Sequence, residues 1–154
     1  MSYLVWKWLH VLSATLLFGT GLGTAFYMFM VNRSGNVQAI AVMMRWVVRG
    51  DWLFTATTVV FQPLSGLVMM KMAGFQLTTP WIFWSWMLYF LAGACWLPVV
   101  WIQMKMRDLA QVAAANGEPL PPRYWRLEKI WTALGFPAFF GLIVVFWLMV
   151  AKPS

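Results

Sequence analysis

Long uncharged stretches alternate with short charged ones along the chain, and the uncharged stretches indicate the fold. Four of them are close to or above the roughly 20 apolar residues that an α-helix needs to cross the hydrocarbon core of a bilayer. They predict membrane-spanning helices over residues 3–31, 52–72, 81–104 and 130–151. A helix satisfies its own backbone hydrogen bonds, as lipid requires. The pattern therefore predicts an all-α protein, with residues 1–154 forming a single integral membrane domain that is a transmembrane four-helix bundle.

The connecting segments carry turn and interface signals. Residues 32–36, NRSGN, predict a turn. Residues 37–50 predict a short interfacial helix between spans one and two, with its two arginines on the water-facing side. The third helix is expected to continue past the membrane and to end at Asn116 and Gly117, a typical helix C-terminal signal. The prolines that follow predict a break before the fourth helix.

The second span contains a line of mostly polar exceptions, which we call the polar stripe. Its members follow one another at spacings of 4, 3, 4, 3 and 4 residues: Asp51, Thr55, Thr58, Gln62, Ser65 and Met69. At 3.6 residues per turn, this spacing puts all six on one side of a helix. Because polar groups in hydrocarbon need partners, the stripe is expected to face other helices or a wet cavity. Bundle packing and a functional lining are both compatible with it.

The only histidine, His10, lies a turn or two inside the first span. Small residues share its helical face: Ser13, Ala14 and Gly21. They leave room for a planar ligand or for another helix. On the opposite face, Thr15, Gly19 and Gly23 have the small-xxx-small spacing that permits a close helix contact. An imidazole inside a membrane needs hydrogen-bonding partners, so a structural and a functional role are both open.

A comparison of depths places the candidate site in one half of the membrane. The predicted binding group contains His10, Gln62, Ser65, Ser85 and Tyr89, with Lys7 and Met69 at its rim. Pro63 deprives the Val59 carbonyl of its helical donor, which favours a kink beside the group. Asp51 lies at the other end of its span, where we expect it to cap the helix, since an acidic side chain is favourable at a helix N-terminus.

Composition and charge agree with a membrane protein. Hydrophobic residues make up 62% of the chain and charged residues 10%, which is too little polar surface for a soluble domain of this length. The net charge of +7 does not indicate nucleic-acid binding, because the basic residues flank apolar stretches instead of forming a patch. Eight of the 11 Lys and Arg lie in the first and third loops. This bias predicts a multi-pass protein with both long loops in the cytoplasm and both termini on the outer side of the membrane.

Several chemistries can be compared on these residues. Haem held between helices commonly uses two histidines, so His10 would act with Met69 or as a single axial ligand. Copper(I) would suit Met, Cys and His ligands, but the 12 methionines are dispersed. The single cysteine, Cys95, excludes a CxxC metal site. No GxSxG sequence and no phosphate-binding loop is present, so the sequence assigns no catalytic residue.

The stretches YLVWKWLHVLSATLLFGTG and RGDWLFTATTVVFQPLSGL, together with the four spans, resemble a bacterial family of predicted integral membrane proteins of unknown function. That family is distantly similar to the membrane domain of CopD-type copper-resistance proteins and to HemJ-type protoporphyrinogen oxidases. The shared feature is the opening Lys7-x-Leu9-His10. The resemblance implies haem or porphyrin binding at His10. The lysine that HemJ-type proteins carry early in the third helix is absent from residues 81–86, so the likeness extends to His10 alone.

Three functions follow as hypotheses. The first is a redox-associated membrane protein that binds haem or a porphyrin-like cofactor, with His10 as the metal ligand or proton handler. The second is a small carrier or copper-handling protein that uses the polar stripe and nearby methionines. The third is a non-catalytic accessory subunit. The expected partners are the lipid bilayer and either a second copy of the chain or another membrane protein.

Overall fold

The computed structural model describes residues 2–153, and helices account for nearly all of them. The α-helices are α1 (Tyr3–Ser34), α2 (Val37–Gly50), α3 (Ala56–Ala73), α4 (Pro80–Asn116) and α5 (Pro122–Ala151). A π-helical turn, Asp51–Thr55, joins α2 to α3 without a break. No strand occurs between residues 2 and 153.

Four continuous helices are long and apolar enough to cross a membrane: Tyr3–Ser34, Val37–Ala73, Pro80–Asn116 and Pro122–Ala151. The predicted all-α class and the four spans are therefore confirmed. The bounds of the membrane-crossing part within each helix stay predictions. The connections α1–α2 and α4–α5 lie at one end of the bundle, which we call the loop end. The termini and the α3–α4 connection lie at the other, the termini end.

The predicted stop signal at Gly117 is confirmed, and the turn predicted over residues 32–36 is present at Gly35 and Asn36, whereas residues 32–34 continue α1. Gly35 ends α1 with a φ of 67° and Gly117 ends α4 with a φ of 68°, a left-handed conformation that glycine adopts without a Cβ clash. Asn36 caps α2, because its side-chain oxygen accepts a hydrogen bond of 3.1 Å from the backbone N–H of Ala39. These two short connections bring α2 beside α1 and α5 beside α4.

The short helix predicted over residues 37–50 is present as α2, but it is not a separate interfacial helix. It continues through the π-helical turn into α3. Its apolar side is buried in the bundle, whereas Arg45 and Arg49 are exposed as predicted. The expectation that Asp51 caps a helix N-terminus is wrong: its backbone N–H is bonded to the carbonyls of Val47 and Val48, so the helix has no start there.

The main apolar core lies at the loop end. It contains residues of α1, α2, α4 and α5 and of the last connection: Met28, Ile40, Ala41, Met44, Val47, Ile102, Met106, Ala110, Ala113, Leu120, Tyr124, Leu127 and Trp131. Within it, the Tyr124 hydroxyl donates a 2.7 Å hydrogen bond to the side-chain oxygen of Asn32. A buried hydroxyl needs such a partner, so this bond fixes the end of α1 to the start of α5.

Towards the termini end the helices bury mainly small or hydroxyl-bearing residues, among them Ser13, Ser65, Ser85 and Ala92. Large apolar side chains point outward from every span, for example Leu53, Leu97 and Trp147. This distribution suits a bilayer, where small interior residues let helices approach and apolar residues face lipid. The termini half of the bundle therefore places polar groups inside and apolar groups outside.

Candidate functional site

His10 contacts the polar stripe through both ring nitrogens. Its Nδ1 lies 2.7 Å from the Ser65 hydroxyl oxygen, and its Nε2 lies 3.3 Å from the Gln62 amide nitrogen. Helix periodicity explains the match, since Gln62 and Ser65 are three residues apart and share one side of α3. The predicted meeting of His10 with these two residues is present in the structure, at the packing contact between α1 and α3.

The hydrogen bonds of Ser65 indicate which imidazole nitrogen carries the proton. The Ser65 hydroxyl lies 2.8 Å from the Phe61 carbonyl, to which it donates as a serine in a helix commonly does. With its one hydrogen used, the hydroxyl oxygen accepts from His10 Nδ1–H. In that tautomer the neutral ring presents a lone pair at Nε2, towards the Gln62 amide nitrogen at 3.3 Å. The contacts of Ser65 thus favour the tautomer in which His10 is an acceptor at Nε2.

The room for the imidazole comes from a glycine on α3. A Cβ placed on Gly66 would lie 3.5 Å from His10 Cε1, which is ordinary contact distance. Beside it, the rings of Trp6 and Phe61 stack with centroids 6.4 Å apart and cover the α1–α3 contact. A methyl group at Gly66 would therefore just contact the imidazole, whereas a longer side chain there would push the ring away from Ser65.

Two buried polar atoms near the imidazole lack a hydrogen-bond partner among the described residues. They are the Ser13 hydroxyl oxygen, one turn along α1 from His10, and the Gln62 amide oxygen. Buried polar atoms are nearly always paired with protein or water. The unpaired acceptors therefore leave hydrogen-bonding capacity around His10 that a bound molecule or a water could use.

Tyr89 contacts the same segment of α3 from α4. Its hydroxyl donates a 2.7 Å hydrogen bond to the Val59 carbonyl. That carbonyl is the one that Pro63 leaves without a helical donor, because proline has no N–H. The sequence predicted both the free carbonyl and the inward position of Tyr89, and the structure joins the two. This bond links α4 to α3 beside Gln62.

The other predicted members of the binding group are less closely connected to the imidazole. Ser85 is buried, but its hydroxyl bonds to the Trp81 carbonyl of its own helix at 2.6 Å. Met69 is half-buried and Lys7 is exposed. No hydrogen bond joins any of these three to His10 within residues 2–153. Their assignment to a ligand stays a prediction.

The inward orientation of the polar stripe is confirmed along its length. Asp51, Thr55, Thr58 and Ser65 are buried, and Gln62 and Met69 are half-buried. The intervening Leu53, Val60 and Leu64 are exposed. The Thr58 hydroxyl donates to the carbonyl of Phe54 at 2.6 Å, so part of the stripe is satisfied by its own helix.

The predicted tight contact on the far side of α1 is not present in the bundle. Added Cβ atoms at Gly19 and Gly23 would meet no atom within 4 Å, and Thr15 is exposed. The small-xxx-small spacing indicated a close contact but could not indicate whether its partner belongs to the same chain. The bundle packs α1 through its His10 side instead.

Three buried polar residues escaped the sequence analysis: Asn32, Gln103 and Tyr124. Gln103 could have been found, because it lies fourteen residues, close to four helical turns, after Tyr89 and so continues the inward side of α4. Asn32 was taken as part of a turn, although it lies in the last turn of α1.

Comparison with known families decides the classification. The model of the family described as Predicted integral membrane protein (DUF2269) matches residues 4–153. The chain belongs to this family. DUF2269 membership confirms the resemblance seen in the first and second spans, whereas the more distant similarity to CopD-type and HemJ-type proteins stays a prediction. No curated protein and no solved structure matches the chain.

Proposed function

We propose that this DUF2269 protein is a redox-associated membrane protein that binds a haem or a porphyrin-like cofactor, with His10 as the axial ligand. The observation that supports the proposal is the state of the imidazole. The Ser65 oxygen lies 2.7 Å from Nδ1, and with its hydrogen given to the Phe61 carbonyl it would accept from Nδ1–H and leave the Nε2 lone pair available. A histidine that ligates a metal commonly donates its other ring N–H to a protein oxygen, which orients the ring and raises its basicity. Ser65 would supply this support.

The hydrogen-bonding groups around the imidazole support the proposal. The bond from Gln62 to Nε2 is the longer of the two at 3.3 Å, so its amide is the contact that a ligand would replace. The unpaired oxygens of Ser13 and Gln62 offer acceptors at the same depth. A bound haem would supply one-electron chemistry, while the chain would orient the ligand nitrogen and exclude water.

The chain offers one strong metal ligand at this site, the His10 imidazole. Within residues 2–153 there is no group of three His, Cys, Asp or Glu side chains that could hold a metal ion. A copper-handling function would therefore depend on methionines beside His10, and the polar stripe contributes Met69 alone. We propose a cofactor with its own in-plane ligands because it needs only one residue from the protein.

The test is a visible spectrum with metal analysis of the purified protein, before and after haem supplementation. We expect Soret absorption from the wild type, its loss in His10→Ala, and an altered band in Ser65→Ala. Ser85→Ala is the matched control, because that hydroxyl is also buried but bonds only within its helix. Absence of Soret absorption after supplementation would refute the proposal, and copper in place of haem would favour the carrier hypothesis.

We further propose that the chain crosses the bacterial inner membrane with both termini in the periplasm. The support is the Lys and Arg bias, with eight residues in the two long loops against three on the other side. A single cysteine simplifies the test. In a Cys95→Ala background, cysteines introduced at the exposed Ser2 and Glu118 would be treated with a membrane-impermeant maleimide in whole cells with a permeable outer membrane. We expect labelling at position 2 and protection at position 118, and the reverse result would refute the proposed orientation.

A further inference from the structure

A second polar cluster lies far from His10, at the π-helical turn. Asp51 is only 5% exposed and Gln103 of α4 only 3% exposed. The Thr55 hydroxyl donates a 3.0 Å hydrogen bond to Asp51 Oδ1. Single-turn π-bulges inside α-helices are frequent at functional sites. Here the turn contains the one buried carboxyl group of the described chain.

Basic side chains near this carboxyl point away from it. Arg45 and Arg49 on its own helix are exposed, and Arg49 lies over the Trp46 ring. On α4, Lys105 is exposed and lies over the Trp101 ring. Within residues 2–153 the only ion pair is Arg107–Asp108, so no cation pairs with Asp51.

The other elements packed against the turn add no charge at this level. α1 approaches the turn at Thr24, whose methyl group would lie 3.9 Å from a Cβ added at Gly50. The ionisable residues of α1 lie elsewhere: Tyr3, Lys7 and His10 towards the termini end, Arg33 at the loop end, and Tyr27 on the exposed surface. On α3 the first ionisable residue is Lys71, at its far end.

A small cavity adjoins the carboxyl. It has a volume of about 10 Å³ and is lined by residues of α2, the π-helical turn and α4: Val48, Asp51, Trp52, Trp96, Val100 and Gln103. That volume is close to what one water molecule requires. Four of the six lining residues are apolar, so a metal cation would find too few oxygen ligands, whereas a proton needs only the carboxyl.

An unpaired carboxylate at this position would be costly, because a buried charge without a partner loses its hydration. Protonation removes that cost. We propose that Asp51 is a proton-binding site that carries a proton in the resting protein and exchanges it with the aqueous phase at the loop end through the adjoining cavity. Thr55 is a positioning residue of this site, and Gln103 lines the same cavity.

The depth of Asp51 in the membrane supports proton exchange with the aqueous phase at the loop end. The rings of Trp46 and Trp101 with their Arg49 and Lys105 partners lie within five residues of Asp51 or Gln103 along the chain. Aromatic and basic residues of this kind mark a membrane–water boundary. The carboxyl thus lies just inside the boundary, and His10 lies many helical turns away.

The chain allows a clean measurement, because Asp51 and Asp108 are its only aspartates. The protein would be made by cell-free synthesis with side-chain ¹³C-labelled aspartate in the Asp108→Asn background, which leaves Asp51 as the single labelled carboxyl. Loss of the exposed Arg107 ion pair should affect stability little. Infrared spectra at neutral pH, in liposomes, are expected to show the carbonyl band of a protonated acid.

Three further results bear on the proposal. The band should shift when H₂O is replaced by D₂O, should vanish completely in Asp51→Asn, and should change frequency in Thr55→Val, which removes the hydrogen bond. A spectrum with only carboxylate bands at neutral pH, or a protonated band that does not shift in D₂O, would overturn the proposal. The single-label spectrum decides by itself if Asp51→Asn fails to fold. None of these results depends on whether His10 binds a cofactor.

Discussion

The bond from Tyr89 to the Val59 carbonyl gives the sharpest quantitative prediction. The perturbation is Tyr89→Phe, which removes one hydroxyl and leaves the ring in place. The hydroxyl lies 2.7 Å from the carbonyl oxygen. Because Pro63 supplies no N–H, the carbonyl has no donor at the usual place in its own helix. The variant therefore leaves a buried acceptor unpaired in a low-dielectric environment.

The expected loss of stability lies near the top of the range measured for hydrogen bonds between membrane helices. Hydrogen bonds between transmembrane helices average about 0.6 kcal/mol and reach about 1.7 kcal/mol, because the separated helices also find partners. Here the alternative partner is missing, so we expect Tyr89→Phe to lower the free energy of unfolding by about 1.5 kcal/mol. In a Pro63→Ala background a helical N–H becomes available to Val59, and the cost should fall to about 0.5 kcal/mol.

The assay is a double-mutant cycle with the four proteins: wild type, Tyr89→Phe, Pro63→Ala and the double variant. Unfolding would be followed by circular dichroism in mixed micelles at increasing denaturing detergent. The predicted interaction energy is about 1 kcal/mol, which is well within the range for residues in contact. Equal costs of Tyr89→Phe in the two backgrounds would refute the argument that the proline creates the need for the tyrosine.

Three further predictions concern single substitutions, each followed by the same unfolding assay. Ser65→Ala leaves the imidazole Nδ1–H without its acceptor and should lower the free energy of unfolding by about 1–2 kcal/mol. Ser85→Ala should change it by less than about 0.5 kcal/mol, because only an intrahelical bond is lost. Equal losses in the two variants would contradict the roles assigned to the two serines. Tyr124→Phe should cost about 1–2 kcal/mol through the orphaned Asn32 oxygen, and an unchanged transition would show that water replaces the hydroxyl. Gly35→Ala places a Cβ at a φ of 67° and should cost about 1 kcal/mol, and a neutral result would show that the turn relaxes.

Much of the candidate site could be predicted from spacing alone. The 4-3-4-3-4 pattern of the polar stripe identified an inward side, since side chains of a helix repeat every 3.6 residues. Proline chemistry identified the Val59 carbonyl as needing a partner. The depth comparison brought His10, Gln62 and Ser65 together because each position was counted from a membrane boundary. These inferences succeed because they depend on local geometry.

The features that the sequence could not predict depend on how the helices pack against one another. Arg45, Arg49 and Gly50 before Asp51 suggested the end of one helix and the start of another, and nothing local distinguishes that arrangement from a continuous helix with a π-helical turn. The open side at Gly19 and Gly23 shows the same limit, because a packing motif does not name its partner. The bond between Asn32 and Tyr124 joins residues 92 positions apart, and no periodicity within one helix can connect them.

The π-helical turn also sets the rotational phase of everything beyond it. Its wider winding holds one residue more than a regular α-helical turn, and one residue corresponds to a rotation of about 100°. The side of α2 that is buried against α1 and α4 is therefore offset from the side of α3 that presents Gln62 and Ser65 to His10. Rewinding Asp51–Thr55 to the regular pitch at unchanged length would turn α3 by about 100° and swing both partners away from the imidazole. Deleting one residue from the turn would instead remove the wider winding and leave α2 and α3 in their present phase.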